Sequence, residues 1–270
     1  MRSMSILSRV SINHDLITSL NRFFTIFCFI SIFLFCTISN NVYANSKKNI
    51  ELQVRTISVA PYGIYTNEQN GGIYFELADQ LIAKTDYRGD NQIAPYARIM
   101  EELKTGDIDL TIMFRYPELE RYVTFITPLP TLKNVVIGLK GSSFKVINDL
   151  KGKSIAYLRG AKFSDIIDKD RQIIKYETTN FLQGIKMLKR GRVDAIIGPL
   201  DPIMSAAFSS GNSAVLGEPL VVSERTPWLQ ISNKSKVVSS AKTFARHFNE
   251  ILKQGELEKL RKKYLTKIIH

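Results

Sequence analysis

Leu103-Lys104-Thr105-Gly106-Asp107-Ile108-Asp109-Leu110-Thr111-Ile112 is answered 85 residues later by Leu188-Lys189-Arg190-Gly191-Arg192-Val193-Asp194-Ala195-Ile196-Ile197. Each copy reads as the end of a helix, a glycine at its C-terminal cap, an aspartate three residues on and a short apolar strand. One such unit is ordinary. Two at matching places predict two similar α/β lobes, and two lobes enclose a cleft of the kind that holds small ligands. Because Asp109 and Asp194 recur together, they read as structural residues rather than ligand contacts.

Outward from the repeat, strands and helices alternate. Leu52 to Ala60 alternates polar and apolar residues as a strand and breaks at Pro61-Tyr62-Gly63, and Asn67 to Gly72 makes a turn. Phe75 to Lys84 carries helical apolar spacing, Ile93-Ala94 is a short strand ending at Pro95, and Ala97 to Lys104 is the helix of the first copy. Leu110 to Phe114 and Asn134 to Leu139 are strands, the latter followed by Gly141-Ser142-Ser143. Beyond Ile147 to Lys153 come strand Ser154 to Leu158, a helix from Phe163 to Asp168, strand Ile173 to Tyr176, helix Asn180 to Lys189 and strand Ala195 to Gly198. Leu220 to Val222 and Leu229 to Ile231 are extended, and Ser239 to Tyr264 is one or two helices broken near Gly255. The fold class is α/β, with mostly parallel sheets.

The first 44 residues stand apart. Arg2, Arg9 and Arg22 precede an apolar run from Phe23 to Ser39, and Val42-Tyr43-Ala44 offers small residues where a signal peptidase cuts. Cleavage after Ala44 is expected, leaving Asn45 to His270. An uncleaved anchor is the rival, since the run falls just short of a comfortable membrane span of about 20 residues. Phe35 before Cys36 argues against a lipoprotein. The chain's two cysteines, Cys28 and Cys36, both lie in this leader, so beyond it disulfides, thiolate catalysis and cysteine metal sites are excluded. The net charge of +12 is spread along the chain rather than clustered, apart from Arg261-Lys262-Lys263, which fits a solvated basic surface better than a nucleic-acid or membrane face.

Five stretches, in order, resemble the periplasmic solute-binding proteins of amino-acid-type uptake systems, the family 3 group with the two-lobed type II fold. They are Ala60-Pro61-Tyr62 with Gly72 to Ala78; Pro95-Tyr96-Ala97-Arg98 before Leu103 to Leu110; and Arg115-Tyr116-Pro117-Glu118 with Tyr122 to Phe125. Asn148 to Lys153, and Leu252-Lys253-Gln254-Gly255 leading to Lys262 to Leu265, complete the set. The resemblance implies a first lobe of residues 45–137 and 223–270, a second lobe inserted at 138–222, and closure on ligand by hinge motion. It also implies periplasmic localisation, a small-molecule ligand, no cofactor, a monomer, and a cognate ABC permease or a membrane sensor as partner. Nucleic acid is not an expected partner.

Ligands of open α/β sheets sit beyond the carboxyl ends of the strands, which here are Tyr62, Phe114-Arg115, Arg159 to Phe163 and Pro199 to Asp201. The family's residue at Tyr62 stacks on the ligand, whereas Tyr65 and Tyr74 read as aromatics packed on their own lobe. Arg115, directly after a strand, is the expected anion anchor, with a salt bridge to Glu118 or Glu120 as the alternative. Arg98 either reaches the cleft or pairs across its own lobe. Gly160, Ala161 and Lys162 lie between a strand and a helix, where free amides receive an anionic group. Asp201 completes the expected ligand-binding set.

Two departures from the family stand out. The arginine that clamps an amino acid's carboxylate is replaced by Leu119, and the aspartate that takes its amino group by Pro199. Unless Arg115, Arg121 or Asp201 substitutes, a free α-amino acid loses both charge partners, at a cost of several kcal/mol. The ligand is therefore read as a small polar or anionic molecule. An enzyme is not expected: beyond the leader only His247 and His270 are histidines, so zinc and Ser-His-Asp chemistry lack parts, although Glu76 or Asp201 leaves a dehydratase-like role open. A relative that no longer binds a ligand is the remaining alternative.

Overall fold

The computed structural model describes residues 50–65, 69–142 and 144–269. The expected leader, Asn67, Ser143 and His270 lie outside the described residues. Ten strands form two five-stranded sheets. The first contains β1 (Glu51–Ile57), β2 (Arg88–Ala94), β3 (Leu110–Phe114), β4 (Val123–Pro128) and β10 (Pro227–Ser232), in the order β2-β1-β3-β10-β4. The second contains β5 (Leu132–Gly138), β6 (Ser154–Leu158), β7 (Ile174–Thr178), β8 (Ala195–Pro199) and β9 (Leu220–Arg225), in the order β7-β6-β8-β5-β9. The two orders are the same plan. In each, three strands run parallel, and one strand that crosses over from the other sheet runs antiparallel between its neighbours.

Seven helices are described: α1 (Ile73–Ala83), α2 (Tyr96–Thr105), α3 (Asp165–Lys169), α4 (Phe181–Lys189), α5 (Leu200–Ser209), α6 (Ala241–Lys253) and α7 (Glu256–Ile269). The apolar spacing dictates their buried faces. Ile73, Leu77 and Leu81 of α1, Ile99 and Leu103 of α2, and Phe244 and Phe248 of α6 are all buried. Fully burying such a side chain stabilises by roughly 1.5–3 kcal/mol. The repeated glycines end α2 and α4 as expected: Gly106 at φ 87° and Gly191 at φ 65° occupy left-handed positions that other residues avoid.

The two sheets are joined only where β4 passes to β5 and β9 to β10. Since β5 and β9 pair within the second sheet, we place the crossings at Leu129–Thr131 and Thr226, a few residues from the expected 137/138 and 222/223. Both β5 and β9 are apolar strands whose sequence does not reveal which sheet receives them. The crossings are tied together, the hydroxyls of Thr131 and Thr226 lying 2.7 Å apart. Two elements escaped the sequence pattern altogether: β4, and α5, whose Leu200-Asp201-Pro202 opening reads as a loop. Its start follows from Pro199, extended at ψ 141°, with Pro202 inside the first turn, where a proline has no intrahelical bond to lose.

Candidate functional site

Residues of both sheets face one another across a gap at the carboxyl ends of β1, β3, β6 and β8. The free space there is about 40 Å³. Its walls are aromatic: Tyr62, Tyr74, Tyr96, Phe114 and Tyr116 from the first lobe, Phe163 and Phe181 from the second.

Tyr62 is held from below. The carbonyls of Pro61 and Tyr62 accept the N–H groups of Ile73 and Tyr74 at 2.9 Å each, so the loop itself caps α1. Gly72 makes this approach possible. At φ 114°, a Cβ there would fall 2.6 Å from the Tyr62 carbonyl oxygen. The Tyr62 ring stacks on Tyr74 with centroids 4.3 Å apart, and its hydroxyl donates to Asp201 Oδ2 at 3.3 Å. Arg261 of α7 pairs with the same oxygen at 3.2 Å. First-lobe Tyr62 and Arg261 thus meet second-lobe Asp201 at one edge of the gap. Burial, helped by Tyr74 and Asp201, pushes the Tyr62 hydroxyl well above the usual phenol range; burial likewise raises Tyr74, against the pull of Arg261.

Tyr96 and Tyr116 meet edge to face, centroids 5.6 Å apart. Both are buried, and their hydroxyls have no well-formed hydrogen bond, although the Lys162 main-chain N–H approaches that of Tyr116. Burial raises both, Tyr116 to about 12 even with Arg225 nearby. The Arg225 guanidinium lies 5.8 Å from the Tyr116 ring and pairs with Asp165 at 2.6 Å.

The expected site residues fall into two groups. Tyr62, Phe114 and Ala161 line the gap, and Asp201 meets Tyr62 at its edge. Gly160 packs across the lobes against Tyr96 and Ala97. The others point to partners of their own. Arg115 is half exposed, pairs with Glu120 at 2.8 Å and rests on the Phe125 ring at 4.9 Å. Arg98 pairs with Glu102 one turn along α2 at 2.6 Å. Lys162 pairs with Glu118 across the lobes.

The amides after β6 are largely engaged within the protein. The Ala161 N–H donates to Leu158 at 3.1 Å and that of Phe163 to the Tyr157 hydroxyl at 3.1 Å. The helix that follows starts at Asp165, not Phe163, and spans five residues. Leu119 is fully buried in a 3₁₀ turn, and Pro199 lines the gap.

Sequence reasoning missed Tyr74, Tyr96 and Tyr116 as lining residues. Tyr96 and Tyr116 stood inside stretches that carried the family resemblance, and Tyr74 lies two residues after a glycine that must carry positive φ; these were the available signals. The repeated aspartates do what their recurrence implied. Asp109 accepts the Gln53 N–H and Asp194 the Ser154 N–H, at 2.8 Å each, fixing the starts of β1 and β6. Among the described residues no cluster of His, Cys, Asp and Glu fits a metal ion, and no helix is long and apolar enough to cross a membrane.

The model of the bacterial extracellular solute-binding proteins, family 3, matches residues 53–267. The arginine-binding extracellular protein ArtP of Bacillus subtilis is 25% identical over 249 residues, covering 86% of this chain and 91% of that protein. The probable amino-acid-binding protein YxeM of the same organism is 27% identical over 219 residues, covering 77% and 81%. Among solved structures, an ancestral arginine-binding protein bound to arginine superposes with a TM-score of 0.68 at 21% identity, covering 80% of this chain and 99% of that one.

Proposed function

We propose, from the premise that this chain belongs to the bacterial extracellular solute-binding proteins of family 3, that it captures a small solute between its lobes by hinge closure and delivers it to an ABC-type permease. Members of this family bind solutes and are not enzymes. The observation that carries the closure reading is the gap itself. Both sheets line it, only two short crossings join them, and Thr131 and Thr226 tie those crossings side by side. Rotation about two adjacent crossings opens such a gap without breaking either sheet.

On this reading residues 50–128 and 227–269 move as one lobe and residues 132–225 as the other, and the chain acts in the periplasm after cleavage following Ala44. Tyr62 supports the ligand's flat face, and Phe114, Ala161 and the Gly160 turn close around it. Leu119 and Pro199 deny a free amino acid the two charge partners of the family's amino-acid binders. Arginine, for which ArtP and the ancestral protein above are named, is therefore not the ligand proposed.

A thermal-shift screen of the purified protein against amino acids, opines, polyamines, carboxylates and short peptides tests the reading, with small-angle scattering on each hit. A ligand at 100 times its dissociation constant adds about 2.7 kcal/mol of stability. A stabilising ligand that also compacts the protein supports capture by closure. A stabilising ligand that leaves the radius of gyration unchanged counts against it. Binding without any effect on a co-reconstituted permease would instead favour presentation to a membrane sensor.

A further inference from the structure

The gap holds polar groups without well-formed hydrogen bonds, and the solute-binding reading above gives them a use. Seventeen residues line it, and none has a charged side chain. Within this apolar wall the hydroxyls of Tyr96 and Tyr116 are buried facing each other and neither makes a well-formed hydrogen bond, the residues being 6% and 2% exposed. A buried hydroxyl left unpaired costs about 1–3 kcal/mol, so both gain when an oxygen is placed against them. The Lys162 main-chain N–H points at the same spot from the other lobe. Two phenols that burial keeps protonated, with the amide beside Tyr116, make a small cluster of neutral donors. The Arg225 guanidinium behind the Tyr116 ring adds positive potential without entering the gap.

The opposite charge is missing. No carboxylate lines the gap, and those around it have partners of their own: Asp201 with Arg261 and Tyr62, Glu118 with Lys162, Asp165 with Arg225, and Asp168, through one of its two oxygens, with the Tyr157 hydroxyl. An ammonium entering the gap would be buried without an anion, which costs several kcal/mol. The rest of the wall is ring faces, with Phe163 flanked by Tyr157 at 5.2 Å and Phe181 at 6.3 Å, surfaces suited to stacking a planar apolar body.

We propose that the gap selects a small molecule with an aromatic body and an acceptor oxygen, carboxylate or amide carbonyl, that carries no ammonium group. The acceptor sits against Tyr96, Tyr116 and the Lys162 amide, and the ring lies among Phe114, Phe163 and Phe181. The lobes part at the hinge to admit it, since the gap between them is narrow.

Four probes built on one body separate the possibilities: 3-phenylpropanoate, 3-phenylpropanamide, L-phenylalanine and 2-phenylethylamine, titrated by calorimetry into the purified protein. The expected result is binding of the propanoate, the propanamide or both, at least tenfold tighter than L-phenylalanine and with no binding of the amine. The relative strength of the two acceptors tells whether Arg225's potential favours an anion. Tyr96→Phe and Tyr116→Phe each remove a hydroxyl that makes no well-formed hydrogen bond, so both variants are expected to fold, and each weakens the favoured probe by about tenfold. L-phenylalanine or the amine binding as tightly as the propanoate overturns the inference, as do unchanged affinities in both variants. If all four probes are silent while one of the twenty standard amino acids binds, the inference fails and solute capture stands. Silence from all four probes overturns the inference, and only silence across the whole thermal-shift panel as well counts against solute capture.

Discussion

Asp109 in the first lobe and Asp194 in the second sit at equivalent places and make the same exchange. Each donates its own N–H to the strand beside it, Asp109 to the Gln53 carbonyl at 2.7 Å and Asp194 to that of Ser154 at 2.8 Å, and accepts that residue's N–H in return. Their surroundings then diverge. Asp109 is half-buried and receives a further bond from the Ser235 hydroxyl, supplied by the returning C-terminal segment. Asp194 is exposed, and the hydroxyl it receives belongs to Ser154 itself. The walls of the gap diverge further: four of its tyrosines come from the first lobe and none from the second. The repeat thus builds two scaffolds to one plan, and the lobes differ most in what they bring to the gap.

Alkaline unfolding probes this asymmetry with the largest expected effect. Tyr62, Tyr74, Tyr96 and Tyr116 are all raised by burial, as is Tyr157 in the second lobe. Above the unfolded value near 10 the unfolded chain releases these protons while the folded chain keeps them. The folded state then binds more protons, so stability falls as pH rises. Each buried tyrosine contributes about 1.4 kcal/mol per pH unit between its unfolded and folded values. Denaturant titrations at pH 9, 10, 11 and 11.5 should show steep loss beyond pH 10, made shallower by one such step in Tyr116→Phe. An unchanged slope in that variant would mean the hydroxyl is solvated.

The aspartates come next. Asp109→Ala strands the Gln53 N–H and Ser235 in a half-buried place, and a destabilisation of about 2–3 kcal/mol is expected. Asp194→Ala exposes the Ser154 N–H to water and should cost about 1 kcal/mol. Equal losses in urea titrations would break the claim that the first copy is the more deeply built. The carboxyl of Asp194 is held below the usual range chiefly by the Ser154 N–H. Its contribution is therefore complete at neutral pH and lost as pH falls through the carboxylate range.

The two copies of helix, glycine, aspartate and strand were legible because that unit is local: spacing, a cap and a buried strand follow one another within ten residues. The crossings were less so. Thr131 and Thr226 are 95 residues apart, and which sheet takes Leu132–Gly138 depends on pairing rather than on the strand's own residues. The lining of the gap was legible at Tyr62, Phe114 and Ala161, where a strand's end fixes the position. It was not legible at Arg115, because a side chain's partner is chosen in three dimensions. Arg115 had either the cleft or a neighbouring glutamate to meet, and it meets Glu120.

Lys162 and Glu118 form an ion pair that spans the lobes beside the gap, with side chains 53% and 38% exposed. Exposed pairs contribute about 0–1 kcal/mol and are screened by salt. Glu118→Gln is expected to lower stability by less than 1 kcal/mol and to speed release of a bound ligand by a factor of two to five. Stopped-flow release at low and high salt checks this. A salt-independent effect would place the pair's role in orienting the Lys162 main chain instead.

Arg115 carries the smallest expected effect and the sharpest contrast with Tyr116, its neighbour in sequence. The two side chains leave β3 in succession. Tyr116 is buried in the gap, while Arg115 lies on Phe125 and pairs with Glu120. At 52% and 48% side-chain exposure, water replaces most of what the pair supplies. Arg115→Ala should therefore change stability by less than about 0.5 kcal/mol and ligand affinity by less than about twofold, where Tyr116→Phe costs about tenfold in affinity. A tenfold loss in Arg115→Ala would show that the guanidinium swings off Phe125 to meet the ligand as the lobes close. The anion anchor expected from its place at the strand's end would then operate only in the liganded state.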